Sequence, residues 1–402
     1  MPVVCLYFQV HQPHRLRHYT FFDINHVHVY EDVQANRLLL NRVADKCYLP
    51  ANRILLNQIR RHEGAFRVAF SLTGVVLEQL EQNRPDVLDS FKELADTGCV
   101  EFLNETYHHS LAFLFSYREF RQQVLLHKRK IKSLFGQTPT TFRHTELIYN
   151  NDLAHAVEKT GCRAILAEGA GRILDGRPPD YVYQPAGCRS LKLLLRNYRL
   201  SDDIAFRFSD RTWSQYPLTA EKFAQWIHRI DADNAVVSLF MDYETFGEHH
   251  WAESGIFKFL ESFPTEILKH SRFRFQTPGD AAASHDPVAA LNAPDTLSWA
   301  DQARDLTAWL GSAMQQDAIQ TLYKLEARVR RRHEGKHMQT WRRLQTSDHF
   351  YYMCTKWSAD GDVHRYFNPY PSPYDAYINY MNILDDFSRR VKRKSSDANE
   401  EG

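Results

Sequence analysis

Eight short apolar runs, each of strand length and several nearly unbroken, punctuate the first 276 residues: Val3–Val10 (VVCLYFQV), then 66–72, 100–103, 141–144, 164–167, 191–195, 235–241 and 273–276. A strand that is apolar at nearly every position, rather than at alternate ones, must be covered on both faces. Between the runs lie stretches of helical periodicity, among them 51–62, 75–82, 118–134, 153–159 and 220–230. Strands alternating with helices predict a parallel sheet, because each parallel return needs a crossover. So many repeats favour a barrel. An open doubly wound sheet is the alternative, but no G-x-G-x-x-G follows the first run.

After about residue 286 the pattern changes. Stretches 306–332 and 337–344 read as helices, and 375–392 as a longer one entered through the aromatic, proline-rich FNPYPSPYDAY. The expected organisation is a barrel over 1–285, a helical subdomain over 286–394 and a polar, disordered tail over 395–402. With 43% hydrophobic and 13% aromatic residues, 402 residues can supply a large core and a smaller companion. A net charge of +1 gives no field that would favour nucleic acid or an anionic membrane, so the expected ligand is neutral. Surplus aromatics suit a cleft for rings or sugars. The six cysteines (Cys5, Cys47, Cys99, Cys162, Cys188, Cys354) show no C-x-x-C spacing and read as reduced thiols of a cytoplasmic protein. The start has no basic segment, and its apolar run breaks at Gln9, so it does not read as a signal peptide. No apolar run reaches the roughly 18 residues of a membrane span.

In a parallel barrel, chemistry gathers where strands end. Those ends carry His11, Ser71, Glu105, Glu146, Glu168, Asn197 and Asp242, and four of these seven are carboxylates. One acid at a strand end is ordinarily a helix cap or an arginine partner. Four on one rim point to glycoside cleavage, where two carboxylates flank an acetal bond. In LFMDYETFGEHHW, Asp242 closes the run, and TFG argues against Glu244 sharing its side. Glu248 and His250 read as solvated loop residues. His249 and Trp251 are placed to flank a sugar, the tryptophan as a stacking platform.

Other motifs compete. HEGKH (333–337) matches H-E-x-x-H, but Gly335 and Lys336 sit inside it and Arg330, Arg331 and Arg332 precede it, so zinc is not expected there. HRLRH (14–18) and HVH (26–28) have chelating spacings, which would suit a metal-dependent polysaccharide deacetylase. That reading needs an aspartate at the first strand, and Asp23 lies in a loop. GAGRILDG (169–176) lacks the Lys and Ser/Thr of a phosphate loop.

Five ordered stretches, VCLYFQVHQPHRL, GCVEFLNETYHHSL, TFRHTELIYNNDL, VSLFMDYETFGEHH and LQTSDHFYYMCTKW, resemble the five sequence blocks of glycoside hydrolase family 57, most closely its α-amylase-type members. The resemblance implies an incomplete parallel (β/α)7 barrel with a C-terminal helical subdomain and a retaining enzyme on α-glucans, with no cofactor and no metal in the chemistry. It assigns Glu146 as nucleophile and Asp242 as general acid/base. It places His11 and Glu105 at the substrate, with Asp348 of the fifth block reaching the cleft, and the aromatics of DHFYYM and Trp357 form a far wall. His144 stands where asparagine is expected. Glu168, the rival nucleophile, sits in LAEGAG, which reads as a tight turn. The expected partner is an α-glucan oligosaccharide or polysaccharide, with no nucleic acid and no membrane. A 4-α-glucanotransferase or branching enzyme of the same family is the first alternative. A silent carbohydrate-binding protein is another, though such a protein needs no acid pair.

Overall fold

The computed structural model describes residues 1–230, 232–332, 335–356 and 367–392. Trp357, residues 333–334 of the HEGKH motif and the 395–402 tail lie outside the described residues. All eight apolar runs form strands. In chain order the strands are β1 (Val3–Val10), β2 (Val68–Leu72), β3 (Val100–Phe102), β4 (Thr141–Arg143), β5 (Ala164–Glu168), β6 (Val182–Pro185), β7 (Lys192–Arg196), β8 (Val236–Asp242), β9 (Arg274–Phe275) and β10 (Ala290–Leu291). The sequence did not reveal β6 and β10. Only Val182 and Tyr183 of β6 pair with β7, so no apolar run marks it.

The fold is mixed α/β with a mostly parallel sheet. Parallel pairs join β1 to β2, β8 and β9, β2 to β3, β4 to β5, β5 to β7, and β7 to β8. Just past β3, Asn104 bridges to Phe142 of β4. Its amide donates to Thr141 O at 2.8 Å, and Arg143 N donates to its carbonyl at 2.9 Å. Strand β6 runs antiparallel to β7. Every residue of β1 is buried. Val3, Cys5 and Tyr7 share one core with Leu166, Leu194 and Phe240, while Phe8 meets Phe70, Tyr243 and Phe246. Alternate residues face opposite sides of a strand, so both faces are covered, as the nearly unbroken apolar run required.

The five expected helices appear as Leu49–Arg61, Gly74–Asn83, Tyr117–Phe135, Asn151–Glu158 and Ala220–His228. Side chains of Thr73, Asn150 and Thr219 cap three of them by accepting backbone N–H groups. The stretch expected as one helix over 306–332 is broken into Thr307–Leu310, Ala313–Lys324 and Glu326–Arg332. Ser312 and Gln315 form a reciprocal capping box there, which starts a new helix rather than continuing the old one.

Contacts gather the chain into two units, each assembled from three stretches, where the sequence suggested one cut after residue 285. The first is Met1–Gln12, Leu38–Tyr107 and Arg121–Trp299; the second is Pro13–Arg37, His108–Phe120 and Ala300–Gly402. Residues 286–299 belong with the strands: β10 pairs with β6, and Leu297 exchanges two backbone hydrogen bonds of 2.9 Å with Tyr149. Within the second unit, the buried Glu119 carboxylate lies between Arg330 (2.6 Å) and Arg342 (2.7 Å). Buried Asp386 accepts from Asn25 N, His28 and Tyr30, which ties the 19–30 loop to helix Pro373–Lys392. No helix among the described residues is long and apolar enough to cross a membrane.

Candidate active site

Glu146 lies three residues past β4, in the turn Thr145–Leu147. Its backbone is left-handed (φ 57°, ψ 26°), and Leu147 after it also has positive φ. Such angles are uncommon in residues with a side chain, and strain of this kind collects at functional sites. The turn is held from below by Leu147 N to His144 O and Ile148 N to Thr145 O. It is held from the side by Trp299, whose indole N–H donates to Glu146 Oε2 at 2.8 Å and whose amide donates to Glu146 O at 3.2 Å. The Tyr149–Leu297 bridge positions Trp299 for this. Sequence reading missed Trp299, which lies 153 residues from its partner.

Asp242 is the last residue of β8, in register with Gln9 of β1. Glu105 lies three residues past β3 and is fully buried; Ser71 Oγ of β2 donates to its Oε1 at 2.7 Å. Arg143, the last residue of β4, has no exposed surface. Its Nη1 is 3.8 Å from Glu105 Oε2, and its guanidinium faces the rings of Phe240 (5.2 Å) and Trp299 (5.8 Å). Burial lowers the Arg143 pKa, and the charges of Glu105, Glu146 and Asp242 oppose that shift. One guanidinium thus feels carboxylates from beyond β3, from beyond β4 and from the end of β8. His11 shares a 3.0 Å hydrogen bond with Thr73 Oγ1 through its Nδ1.

Strand β8 stops at Asp242, as TFG led to expect, so Glu244 does not continue it. The chain turns into a short 3-10 helix at Tyr243–Thr245, which buries Glu244. Tyr48 O–H (2.5 Å) and Gln12 Nε2 (3.1 Å) donate to its Oε1. Burial, then the charge of Asp242, raises its pKa to about 8, so a neutral carboxyl lies beside Asp242 at neutral pH. Glu248 and His250, expected to be solvated, are buried. Glu248 pairs with Arg42 at 2.6 Å, and His250 bonds Ser209 Oγ and Ala205 O. Gly247 explains the compact loop: at φ 106° a Cβ would come within 2.0 Å of Lys46 O. Trp251 is 60% exposed, with Lys46 Nζ 5.6 Å from its ring, and His249 is half-buried beside it.

Other strand-end residues have structural tasks. Glu168 accepts from Arg196 Nη1 at 3.0 Å and from Gly169 N at 2.8 Å. Asn197 caps helix Tyr198–Ala205. His144 is buried, its Nδ1 3.0 Å from Thr145 O. In the second unit, Asp348 lies in the first turn of helix Ser347–Tyr351, and its carboxylate and a ring nitrogen of His109 are within 4.8 Å of each other. Asp23, which a deacetylase would need as a ligand, accepts instead from the backbone and hydroxyl of Thr20.

Comparison with known proteins fits this arrangement. Residues 5–294 match the model of glycosyl hydrolase family 57. A Methanocaldococcus jannaschii protein named "Putative alpha-amylase" is 42% identical over 398 residues, spanning 96% of this chain and 84% of its own. Among solved structures, a branching enzyme of this family from Pyrococcus horikoshii superposes with a TM-score of 0.71 at 14% identity, covering 97% of this chain and 94% of that one. The 4-alpha-glucanotransferase of Thermococcus litoralis gives 0.66 at 14% identity, over 95% of this chain and 59% of that one. At such identities the superpositions speak for the fold, whereas the family match and the 42% relative speak for kinship. The chain belongs to glycoside hydrolase family 57 and is a glycoside hydrolase.

Proposed function

We propose that this enzyme cleaves α-1,4 bonds of α-glucans with retention, using Glu146 as nucleophile and Asp242 as general acid/base. The observation that carries the reading is the Arg143 guanidinium, 3.8 Å from Glu105 and subject also to the charges of Glu146 and Asp242. Traced from β1 through β2, β3, the Asn104 bridge, β4, β5, β7 and β8, the parallel pairings return to β1, which supports a (β/α)7-type barrel as the scaffold. Protonated Asp242 gives its proton to the departing glycosidic oxygen while Glu146 attacks the anomeric carbon and forms a β-linked glycosyl ester. Asp242 then removes a proton from water, which displaces Glu146 and restores both groups. The Trp299 N–H fixes Glu146 Oε2 and so orients the carboxylate for attack. Glu168 is instead tied to Arg196 in an ion pair.

His11 and Glu105 bind sugar hydroxyls next to the cut, and His249 and the exposed Trp251 flank the chain of sugars. For Asp348 the support is its sequence block alone. Retention requires the two carboxyl groups to lie on the order of 5 to 5.5 Å apart. Incubation with maltoheptaose tests the reading: shorter maltooligosaccharides released first as the α-anomer support it. Initial release of the β-anomer would mean inversion and remove the nucleophile, and chains longer than the starting sugar would mean transfer to another glucan.

A further inference from the structure

Two arginines flank Trp299, and they differ in one respect. Arg196, 5.7 Å from the ring, uses each guanidinium nitrogen: Nε donates to Phe240 O (2.8 Å), Nη1 to Glu168 (3.0 Å) and Nη2 to Asp202 (2.5 Å). Arg143, equally buried, has no hydrogen-bond partner for Nε, Nη1 or Nη2 among the described residues. A buried donor left unsatisfied bears the full cost of its desolvation, and arginine cannot shed its proton to escape that cost. Glu105 Oε2 lies 3.8 Å from Nη1, beyond hydrogen-bond range. An oxygen atom about 2.8 Å from each group would close that gap. Ser71 holds the other Glu105 oxygen in place, and Phe240 and Trp299 confine the guanidinium.

We propose that Arg143 and Glu105 together hold one hydroxyl group of the sugar beside the scissile bond, Glu105 accepting its proton and Arg143 donating to its oxygen. The inference rests on the α-glucan reading and adds a specificity residue to it. A carboxylate alone selects any donor. A carboxylate facing a guanidinium that makes no hydrogen bond among the described residues selects a group that donates and accepts at once, which is a hydroxyl. Besides Glu105, the charges of Glu146, Asp242 and Tyr7 act on Arg143.

The test uses aryl α-maltosides lacking the 2-, 3- or 6-hydroxyl of the sugar at the cut. For the wild type, one deoxy position should lose on the order of 10- to 100-fold in kcat/KM, the range for a hydrogen bond to a charged group. In Arg143→Met that same position should lose less than about 3-fold, and Arg143→Lys should restore part of the penalty, an outcome a merely structural arginine would not give. Equal penalties in wild type and Arg143→Met would overturn the proposal, as would an internal water satisfying the guanidinium. If Arg143→Met does not fold, Glu105→Gln carries the same cycle. Failure of the α-glucan reading looks different: the wild type would not turn over the unmodified maltoside, and both inferences would fall.

Discussion

Glu146 and Glu168 stand at the ends of two neighbouring parallel strands, β4 and β5, and both are buried. They have been given opposite surroundings. Glu168 meets a guanidinium and a backbone N–H in an ion pair that also involves Asp202. Glu146 sits on a left-handed turn with a neutral indole on one oxygen. A charge neutralised by a full cation is stabilised but made a poor nucleophile. At Glu146 the indole N–H is a neutral donor, and under the proposed mechanism it orients the carboxylate for attack. Position alone therefore does not define a strand-end acid, because its partner decides whether it serves the fold or the reaction.

Truncation puts the contrast at greatest risk. Glu146→Ala should lower turnover by at least about four orders of magnitude, since losing a nucleophile removes the covalent route. Azide should restore cleavage of an activated α-glucoside and yield the β-glucosyl azide; rescue at Glu168→Ala instead would reverse the assignment. Glu168→Ala should act on folding, destabilising the protein by about 3–5 kcal/mol in urea titrations because Arg196 loses a buried counter-charge. At a temperature where that variant stays folded, kcat should remain within several-fold of the wild type.

A smaller change isolates the indole. Trp299→Phe keeps the ring against Phe240 but removes the donor to Glu146. A loss of roughly 10-fold, mainly in kcat with KM little changed, is expected from one charge-assisted hydrogen bond. An unchanged kcat would show that the indole does not orient the carboxylate.

Glu244 adds a third case, a glutamate kept neutral. Its folded pKa of about 8 lies above the ordinary value of 4.5. Between those values the folded state holds a proton that the unfolded chain has released. Its contribution to stability is therefore present at low pH and declines as pH rises from about 4.5 to about 8, then levels. Glu244→Gln, which cannot ionise, should flatten that part of a melting-temperature profile. An identical slope in the variant would place the titration elsewhere.

Much of this is legible in the chain. The nearly unbroken apolar run of β1 requires cover on both faces, and the structure provides it. The acids Glu105, Glu146 and Asp242 can be found because strand ends are located from where an apolar run stops. Periodicity says nothing about which distant groups will meet them. Trp299 reaches Glu146 only after the 286–299 segment returns along the strands, and no spacing rule spans 153 residues. TFG signals in sequence that the strand ends before Glu244, as it does, but not the 3-10 turn that buries the glutamate. Glu248 and His250 read as solvated because loop residues mostly are, whereas here Arg42, Ser209 and Ala205 receive them.

Hydrophobic period and chain breaks act over a few residues. From such local patterns come the strands and most of their crossovers, the residue types at the strand ends and the family they announce. Which acid is paired with a cation, which is held by an indole and which keeps its proton was settled by tertiary packing. Those outcomes depend on burial and on charges brought close from far along the chain, and both exist only once the strands have been laid side by side.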